Sequence, residues 1–244
     1  MVTVRLGSVM AAAGDLVLPR SCAGCDRPGP AVCAGCRRAL CDLAVPTPGP
    51  VAPRPVPPGW PGCHATLRYE GVAARLVRAF KDEDRRDLAD VLARLLADAV
   101  RRAALQGGSR GGVLVVPVPS SPAAIRRRGD QPMLQLARRA VHLLGPGAAV
   151  EPGLRVRRGT ADQAGLDRAA RLANLDRAMA ARRPHRVRGR RIVLVDDVLT
   201  SGATLTEGRR ALLEAGAAGV DLAVAMVTPR RSPPPGLPFR SRPD

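Results

Sequence analysis

Three short apolar runs constrain the fold of this chain more than any other feature of its sequence. They are rich in β-branched residues and cover Val113–Val118, Ile192–Val195 and Val220–Val227. A strand with one solvated face alternates apolar and polar residues, whereas these runs are nearly continuous. Continuous runs are typical of strands that are buried on both faces of a mostly parallel sheet. The sequence therefore predicts such a sheet, covered by helices on both sides.

Amphipathic helices are predicted around and between these strands. Apolar residues recur at i, i+3, i+4 and i+7 spacing from Leu88 to Val100 and again from Met133 to Leu144. A third helix is predicted over Leu205–Ala215, where Gly216 ends it. Strands that alternate with helices indicate a doubly wound α/β fold. In such folds, ligands bind beyond the carboxyl ends of the strands.

The segment after the second apolar run contains the residue types of a phosphate and sugar site. The polar turn begins with two acids, Asp196 and Asp197, and continues to the next helix through Thr200, Ser201, Gly202, Ala203 and Thr204. Small residues let the backbone approach a ligand, and the N–H groups that begin the helix attract a phosphate. The two acids would repel a bare phosphate but would accept hydrogen bonds from sugar hydroxyls or bind a cation beside the phosphate. A plainer interpretation is that the polar residues only cap the helix.

Val193–Thr204 resembles the phosphoribosyl-diphosphate (PRPP) motif of type I phosphoribosyltransferases. The resemblance implies that Asp196 and Asp197 hold the ribose and take part in catalysis, and that Thr200–Thr204 hold the 5-phosphate. It also implies that PRPP or a related phosphorylated ribose binds together with Mg2+. The fold that it implies is the phosphoribosyltransferase-like parallel sheet with helices on both faces.

Further blocks resemble the ComF family, which is known for its link to DNA uptake in competent bacteria. They are Val115–Ser121, Arg126–Gln131, Arg157–Leu166 with Arg171 and Asn174, and a segment from Tyr69 to Lys81. The resemblance implies a pyrophosphate-binding side formed by Pro119, Ser120, Ser121, Arg128 and Arg158. The chain departs from the family at Asp130, where an asparagine is usual. That change would add a negative charge near the pyrophosphate.

Four of the six cysteines have the spacing of a metal site. Cys22 and Cys25 form one Cys-x2-Cys pair, and Cys33 and Cys36 form a second. Two such pairs can supply the four thiolates of a tetrahedral zinc ion. An iron–sulfur cluster and a redox-active dithiol pair are the alternatives. ComF proteins commonly carry an N-terminal zinc ribbon, while Cys41 and Cys63 fall outside the pairs and are expected to be buried thiols.

Composition divides the chain into four segments. We predict a zinc-ribbon-like module at 16–43, a proline-rich linker at 44–62, a phosphoribosyltransferase-like domain at 63–229 and a disordered tail at 230–244. The linker holds eight prolines and is expected to be an extended spacer. No apolar run reaches the roughly 20 residues that cross a bilayer. The N-terminus does not resemble a signal peptide, so the expected location is the cytoplasm.

The net charge of +18 leaves more than one function open. It indicates anionic partners, although Lys81 is the only lysine and a general bias toward arginine would give the same charge. One hypothesis is an enzyme that transfers phosphoribosyl to an unknown acceptor and releases pyrophosphate. A second is a non-catalytic adaptor of the DNA-uptake machinery that senses PRPP or handles single-stranded DNA. A third is a zinc-ribbon interaction module whose transferase-like domain has lost its ligand.

Overall fold

The computed structural model describes residues 21–46, 49–108, 112–120, 125–126, 129–157 and 177–229. Five parallel strands form the main sheet, in the spatial order β1-β7-β6-β2-β3. A separate antiparallel pair, β4 and β5, lies near the carboxyl end of the sheet. The strands are β1 (His64–Arg68), β2 (Val113–Pro117), β3 (Ala148–Val150), β4 (Leu154–Val156), β5 (Met179–Ala181), β6 (Arg191–Leu199) and β7 (Gly219–Val227).

The predicted helices are present, together with three that the sequence analysis did not identify: α1 (Ala34–Asp42), α2 (Gly71–Asp82) and α5 (Pro184–Val187). Of these, α2 buries Ala73, Leu76, Val77 and Phe80 at helical spacing. Among the described residues, no helix is both long and apolar enough to cross a membrane. The helices are α1 (Ala34–Asp42), α2 (Gly71–Asp82), α3 (Ala89–Gln106), α4 (Pro132–Leu144), α5 (Pro184–Val187) and α6 (Ala203–Glu214), with a 3-10 turn at Arg86–Leu88.

The core of the domain lies on both faces of the central strand β6. Its consecutive residues Ile192–Val195 are all buried, and neighbouring residues of a strand point to opposite faces. Helix α6 packs closely on one face, because Gly208 leaves room for the side chains of Leu194 and Leu154. The prediction of a mostly parallel sheet with helices on both faces is therefore confirmed.

The N-terminal segments pack against the domain. The proline-rich segment, predicted as an extended spacer, follows the free edge of β1 through antiparallel bridges between Ala44 and Leu67 and between Val51 and Cys63. Gly24 of the cysteine module lies against α2, because a Cβ at Gly24 would be 2.9 Å from Cγ1 of Val72. The predicted segment boundaries remain a prediction, and the predicted disordered tail, 230–244, lies outside the described residues.

A substitution at Leu194 tests whether β6 lies in the core. Its side chain is 0% exposed, so Leu194→Ala should lower the free energy of unfolding by about 2–5 kcal/mol through lost apolar burial and a new cavity. Urea denaturation measures this change. The control is Leu105→Ala on α3, where the side chain is 77% exposed and the same substitution should cost less than about 0.5 kcal/mol. Equal losses at both positions would contradict the placement of β6.

Candidate functional site

The ends of β2, β6 and β7 bring the predicted site loops to one edge of the sheet. Pro117 of β2 pairs with Val195 of β6, and the N–H of Val118 donates to the carbonyl of Val195 at 3.0 Å. On the other side of β6, the backbone N–H and the hydroxyl of Thr228 both donate to the carbonyl of Leu199, at 3.0 and 3.1 Å. The turn after β2 therefore starts beside Val195, while β6 continues with β7 as far as Leu199.

Asp196 and Asp197 belong to the last part of β6. The sequence analysis placed them in the turn after the strand, which is wrong, because β6 stays paired with β7 as far as Leu199. The carboxylate of Asp197 forms an ion pair with the ammonium group of Lys81 at the end of α2. Oδ1 of Asp196 accepts a hydrogen bond from the backbone N–H of Asp197 at 2.9 Å. Lys81 is thus a site residue, although the sequence indicated it only through the family resemblance.

The two carboxylates and the lysine influence one another's ionisation. Burial and the negative charge of Asp197 raise the pKa of Asp196 to about 8. Burial alone would lower the pKa of Lys81, but the carboxylates of Asp197 and Asp196 outweigh it and raise that pKa. A carboxyl group whose pKa is strongly raised by burial and by a neighbouring acid is a candidate functional group.

The turn that follows β6, the predicted phosphate cradle, leads to a left-handed glycine. Gly202 is buried, has a φ of +75° and precedes the first residue of α6. A left-handed residue before a helix turns the next backbone N–H groups toward a common point. Thr200 is exposed, Ser201 and Thr204 are half-buried, and Ala203 donates its N–H to the hydroxyl of Ser201 at 3.4 Å.

The aspartates do not cap α6. The N-cap position is Gly202, which has no side chain to offer, and the carboxylates contact Lys81 and the backbone of β6 instead. The plainer interpretation of the motif as a helix cap is therefore wrong for Asp196 and Asp197.

Pro119 and Ser120 line a cavity of about 180 Å³ beyond the end of β2. Arg155 of β4 and Arg182, which follows β5, line the same cavity, and both side chains are exposed. Two guanidinium groups opposite a hydroxyl form a chemically suitable surface for a phosphate. The sequence analysis did not select either arginine. Three residues that it did predict for the pyrophosphate side lie outside the described residues: Ser121, Arg128 and Arg158.

Asp130 has a cationic partner. Its Oδ2 atom forms an ion pair with Arg86 and accepts a hydrogen bond from Nε2 of Gln135 at 3.2 Å. Arg86 also pairs with Asp84, and the carboxylates of Asp84 and Asp130 raise the pKa of its guanidinium group. Arg86 therefore offsets part of the charge that replaces the usual asparagine. Asp84, Arg86 and Asp130 also line a cavity of about 500 Å³ that reaches Lys81.

The four cysteines of the two Cys-x2-Cys pairs converge on one point. The Sγ atoms of Cys22, Cys25, Cys33 and Cys36 all lie within 4.8 Å of one another, and those of Cys25 and Cys33 are 3.7 Å apart. A tetrahedral zinc ion with bonds of about 2.3 Å separates its sulfur ligands by about 3.8 Å. Backbone N–H groups of Cys33 and Cys36 donate to sulfur atoms of the cluster at 3.3 and 3.4 Å. The cluster therefore fits a structural zinc ion.

The other two cysteines lie apart from this cluster. Cys63 is buried as predicted, whereas the prediction of a buried thiol is wrong for Cys41, which is exposed on α1. The thiol of Cys41 contacts the carbonyl of Arg37 one turn earlier. His64, next to Cys63, contacts Gln106 at 2.5 Å.

The raised pKa of Asp196 predicts a pH-dependent cost to stability. Because the folded-state pKa, about 8, exceeds the ordinary value of 3.8, the stability of the folded state falls as pH rises between these values. Asp196→Asn removes this loss, so the variant should be more stable than the wild type by about 1–2 kcal/mol at pH 8 and by less at pH 5. Urea denaturation at both pH values measures the difference.

The control for this prediction is Asp98→Asn, since Asp98 is an exposed residue of α3 with a side chain 54% accessible. That variant should show no comparable gain at pH 8. A gain for Asp196→Asn that is the same at pH 5 and pH 8 would contradict the raised pKa.

Comparison with known proteins assigns the family. The model of the phosphoribosyl transferase domain matches residues 89–237, which include β2, β6, β7 and the turns at their ends. Among solved structures, the chain is similar to the hypoxanthine phosphoribosyl transferase of Trypanosoma cruzi, with 16% identity and a TM-score of 0.37. That likeness covers 59% of this chain and 68% of the other.

Two curated relatives are the DNA utilization proteins YhgH of Salmonella typhimurium and Escherichia coli K12. The first is 34% identical over 166 residues and the second 32% over 169 residues. Each match covers 68% of this chain and 72% of the relative. Together with the motifs around Asp196 and the four-cysteine cluster, these matches show that the chain belongs to the phosphoribosyl transferase domain family and, within it, to the ComF type.

Proposed function

We propose that the chain binds PRPP at the carboxyl edge of the sheet and transfers its phosphoribosyl group to an acceptor, with release of pyrophosphate. The observation that carries this proposal is the placement of Asp196 and Asp197 near the end of β6, which leads through a short turn to the left-handed Gly202 at the start of α6. The carboxylates accept hydrogen bonds from the ribose hydroxyls there. The backbone N–H groups and side-chain hydroxyls of Thr200–Thr204 donate hydrogen bonds to the 5-phosphate.

The proposed chemistry depends on position and charge. The bond between C1 of the ribose and the pyrophosphate oxygen breaks, and the acceptor, which loses a proton, forms the new bond to C1. Positive charge develops on the ribose ring during this step, and the nearby carboxylates of Asp196 and Asp197 stabilise it. Ser120, Arg155 and Arg182 form the side that receives pyrophosphate, together with the predicted residues Pro119, Ser121, Arg128 and Arg158.

Mg2+ is the metal that the proposed reaction needs. It prefers oxygen ligands and is usually held by one or two carboxylates together with substrate phosphates. Asp196 and Asp197 are adjacent and supply carboxylate oxygens of the kind that Mg2+ prefers, and burial and the charge of Asp197 raise the pKa of Asp196. When bound, Mg2+ neutralises charge on the departing pyrophosphate.

A structural zinc ion is the proposed occupant of the cysteine cluster. The spacing of the four sulfur atoms supports zinc, and a zinc site of reduced cysteines suits a reducing compartment. We accordingly propose that the protein works in the cytoplasm.

A second candidate function is a non-catalytic adaptor that senses PRPP and handles single-stranded DNA. The name of the relatives, DNA utilization protein, favours this candidate, as does the net charge of +18. An adaptor of this kind would bind DNA with an affinity that falls steeply as salt is added, because binding releases counterions. It would need the PRPP site for sensing but not for turnover.

PRPP binding is the first test of the site. We expect calorimetric titration of the zinc-loaded protein with PRPP and Mg2+ to give saturable binding. Asp196→Ala/Asp197→Ala should weaken it at least about a hundredfold, because two hydrogen bonds to charged groups are lost at about 1.5 kcal/mol or more each. The matched control is Asp90→Ala/Asp98→Ala, which removes the same charge from the exposed side of α3 and should bind as the wild type does.

The outcomes separate the candidate functions. Absence of PRPP binding by the wild type would overturn the proposal. Binding of PRPP without pyrophosphate release in the presence of any tested acceptor, together with salt-dependent binding of single-stranded DNA, would favour the adaptor.

The metal is tested by two cysteine substitutions on the same helix. Metal analysis should find a single zinc ion per chain in the wild type and in Cys41→Ser, since the Cys41 thiol is exposed and outside the cluster. Cys36→Ser removes one of the four ligands and should lose most of the zinc. Iron with visible absorbance would show a cluster instead, and a reversible disulfide without any metal would show a redox pair.

A further inference from the structure

The proline-rich segment returns to the proposed phosphate site. Two backbone hydrogen bonds, of 2.6 and 3.0 Å, join Val51 of the segment to Cys63, directly before β1 begins. These bonds close residues 51–63 into a loop. The loop therefore has a fixed base on the sheet, even though its prolines cannot donate backbone hydrogen bonds.

Trp60, the only tryptophan of the chain, is oriented by this loop. Its indole Nε1 donates to the carbonyl of Val51 at 3.1 Å, and its backbone N–H donates to the carbonyl of Pro57 at 3.2 Å. The indole ring is half-buried. A hydrogen bond at the nitrogen edge leaves the opposite edge of the ring to make a different contact.

That opposite edge lies against Gly202 of the phosphate cradle. A Cβ atom built on Gly202 would be 2.9 Å from Cζ3 and 3.1 Å from Cη2 of Trp60, and 2.9 Å from Cγ of Pro53. Pro53 is itself buried. Two rigid rings from the linker thus cover one side of Gly202, and any larger residue at this position would collide with them.

Trp60 and Pro53 contact Gly202, the residue whose left-handed conformation shapes the cradle. Gly202 has a φ of +75°, and its carbonyl accepts the N–H of Thr206 at 2.8 Å as α6 begins. A glycine has many accessible conformations, so holding it in one of them costs entropy. Rigid neighbours that hold Gly202 in one conformation before a ligand binds reduce the conformational entropy that is lost on binding.

We propose that Trp60, supported by Pro53, is a positioning residue that holds Gly202 and so pre-forms the ribose-phosphate cradle. The proposal rests on the proposed function and extends it, because it makes the linker part of the PRPP site. It also makes Trp60 a reporter, since a ligand in the cradle changes the surroundings of the indole ring.

Two substitutions at Trp60 test the positioning role in the full, zinc-loaded chain. Calorimetry with PRPP and Mg2+ gives the fraction of binding-competent protein and the affinity separately. Trp60→Ala should weaken the affinity about tenfold, while Trp60→Phe, which keeps an aromatic ring, should stay within about threefold of the wild type. Val56→Ala is the control within the same loop, because that side chain is 57% exposed, and it should bind as the wild type does.

Fluorescence gives a second readout that a merely structural role would not affect. PRPP with Mg2+ should shift the emission of Trp60 in the wild type, and the shift should be absent in Asp196→Ala/Asp197→Ala. If the wild type binds PRPP by calorimetry, but Trp60→Ala binds equally well and the emission does not change, the positioning role is overturned and the proposed function stands. If the wild type shows no calorimetric binding, both proposals fall.

Discussion

Two adjacent carboxylates at the end of an apolar, buried strand are the constraint on which the rest of the site depends. Asp197 is 7% exposed, and a charge at such a depth destabilises the fold unless a partner compensates it. Lys81 supplies that partner from α2, which requires the last turn of that helix to lie beside the end of β6. Burial and the charge of Asp197 raise the pKa of Asp196, and they outweigh the opposing effect of Lys81. A stability cost retained at one edge of the sheet is typical of a binding site.

The sequence predicted the parts of this arrangement that arise from local patterns. Strands β2, β6 and β7 and helices α3, α4 and α6 follow from apolar periodicity, because each pattern lies within one element. The end of β6 could not be found in this way, since its polar last residues stay in the strand through their pairing with β7. The roles of Lys81 and Arg182 depend on contacts between elements far apart in the chain, and periodicity contains no information about such contacts.

In the N-terminal region too, the local patterns were predictable from the sequence and the contacts between distant residues were not. The cysteine cluster was predictable because all four ligands come from fifteen consecutive residues, so local spacing determines their geometry. Composition predicted an extended proline-rich linker but not its course, because hydrogen bonds at a few other residues, such as that from Val45 to Thr66, attach it to β1. The module is likewise fixed to the domain, since Arg85 donates to the carbonyl of Ser21 at 2.8 Å just beyond α2. Module, linker and domain therefore share one continuous core.

Asp130 shows why a departure from a family motif has to be judged by its surroundings. By sequence alone, an acid in place of asparagine adds a negative charge near the expected pyrophosphate and opposes its binding. In the structure, Arg86 and Gln135 engage its Oδ2 atom at the wall of the cavity beside Lys81, and Arg86 also pairs with Asp84. Arg86 therefore offsets part of the added charge, because a nearby opposite charge weakens the field of a carboxylate at a distance. The departure is therefore compatible with a functional pyrophosphate side, and it does not by itself favour the adaptor over the enzyme.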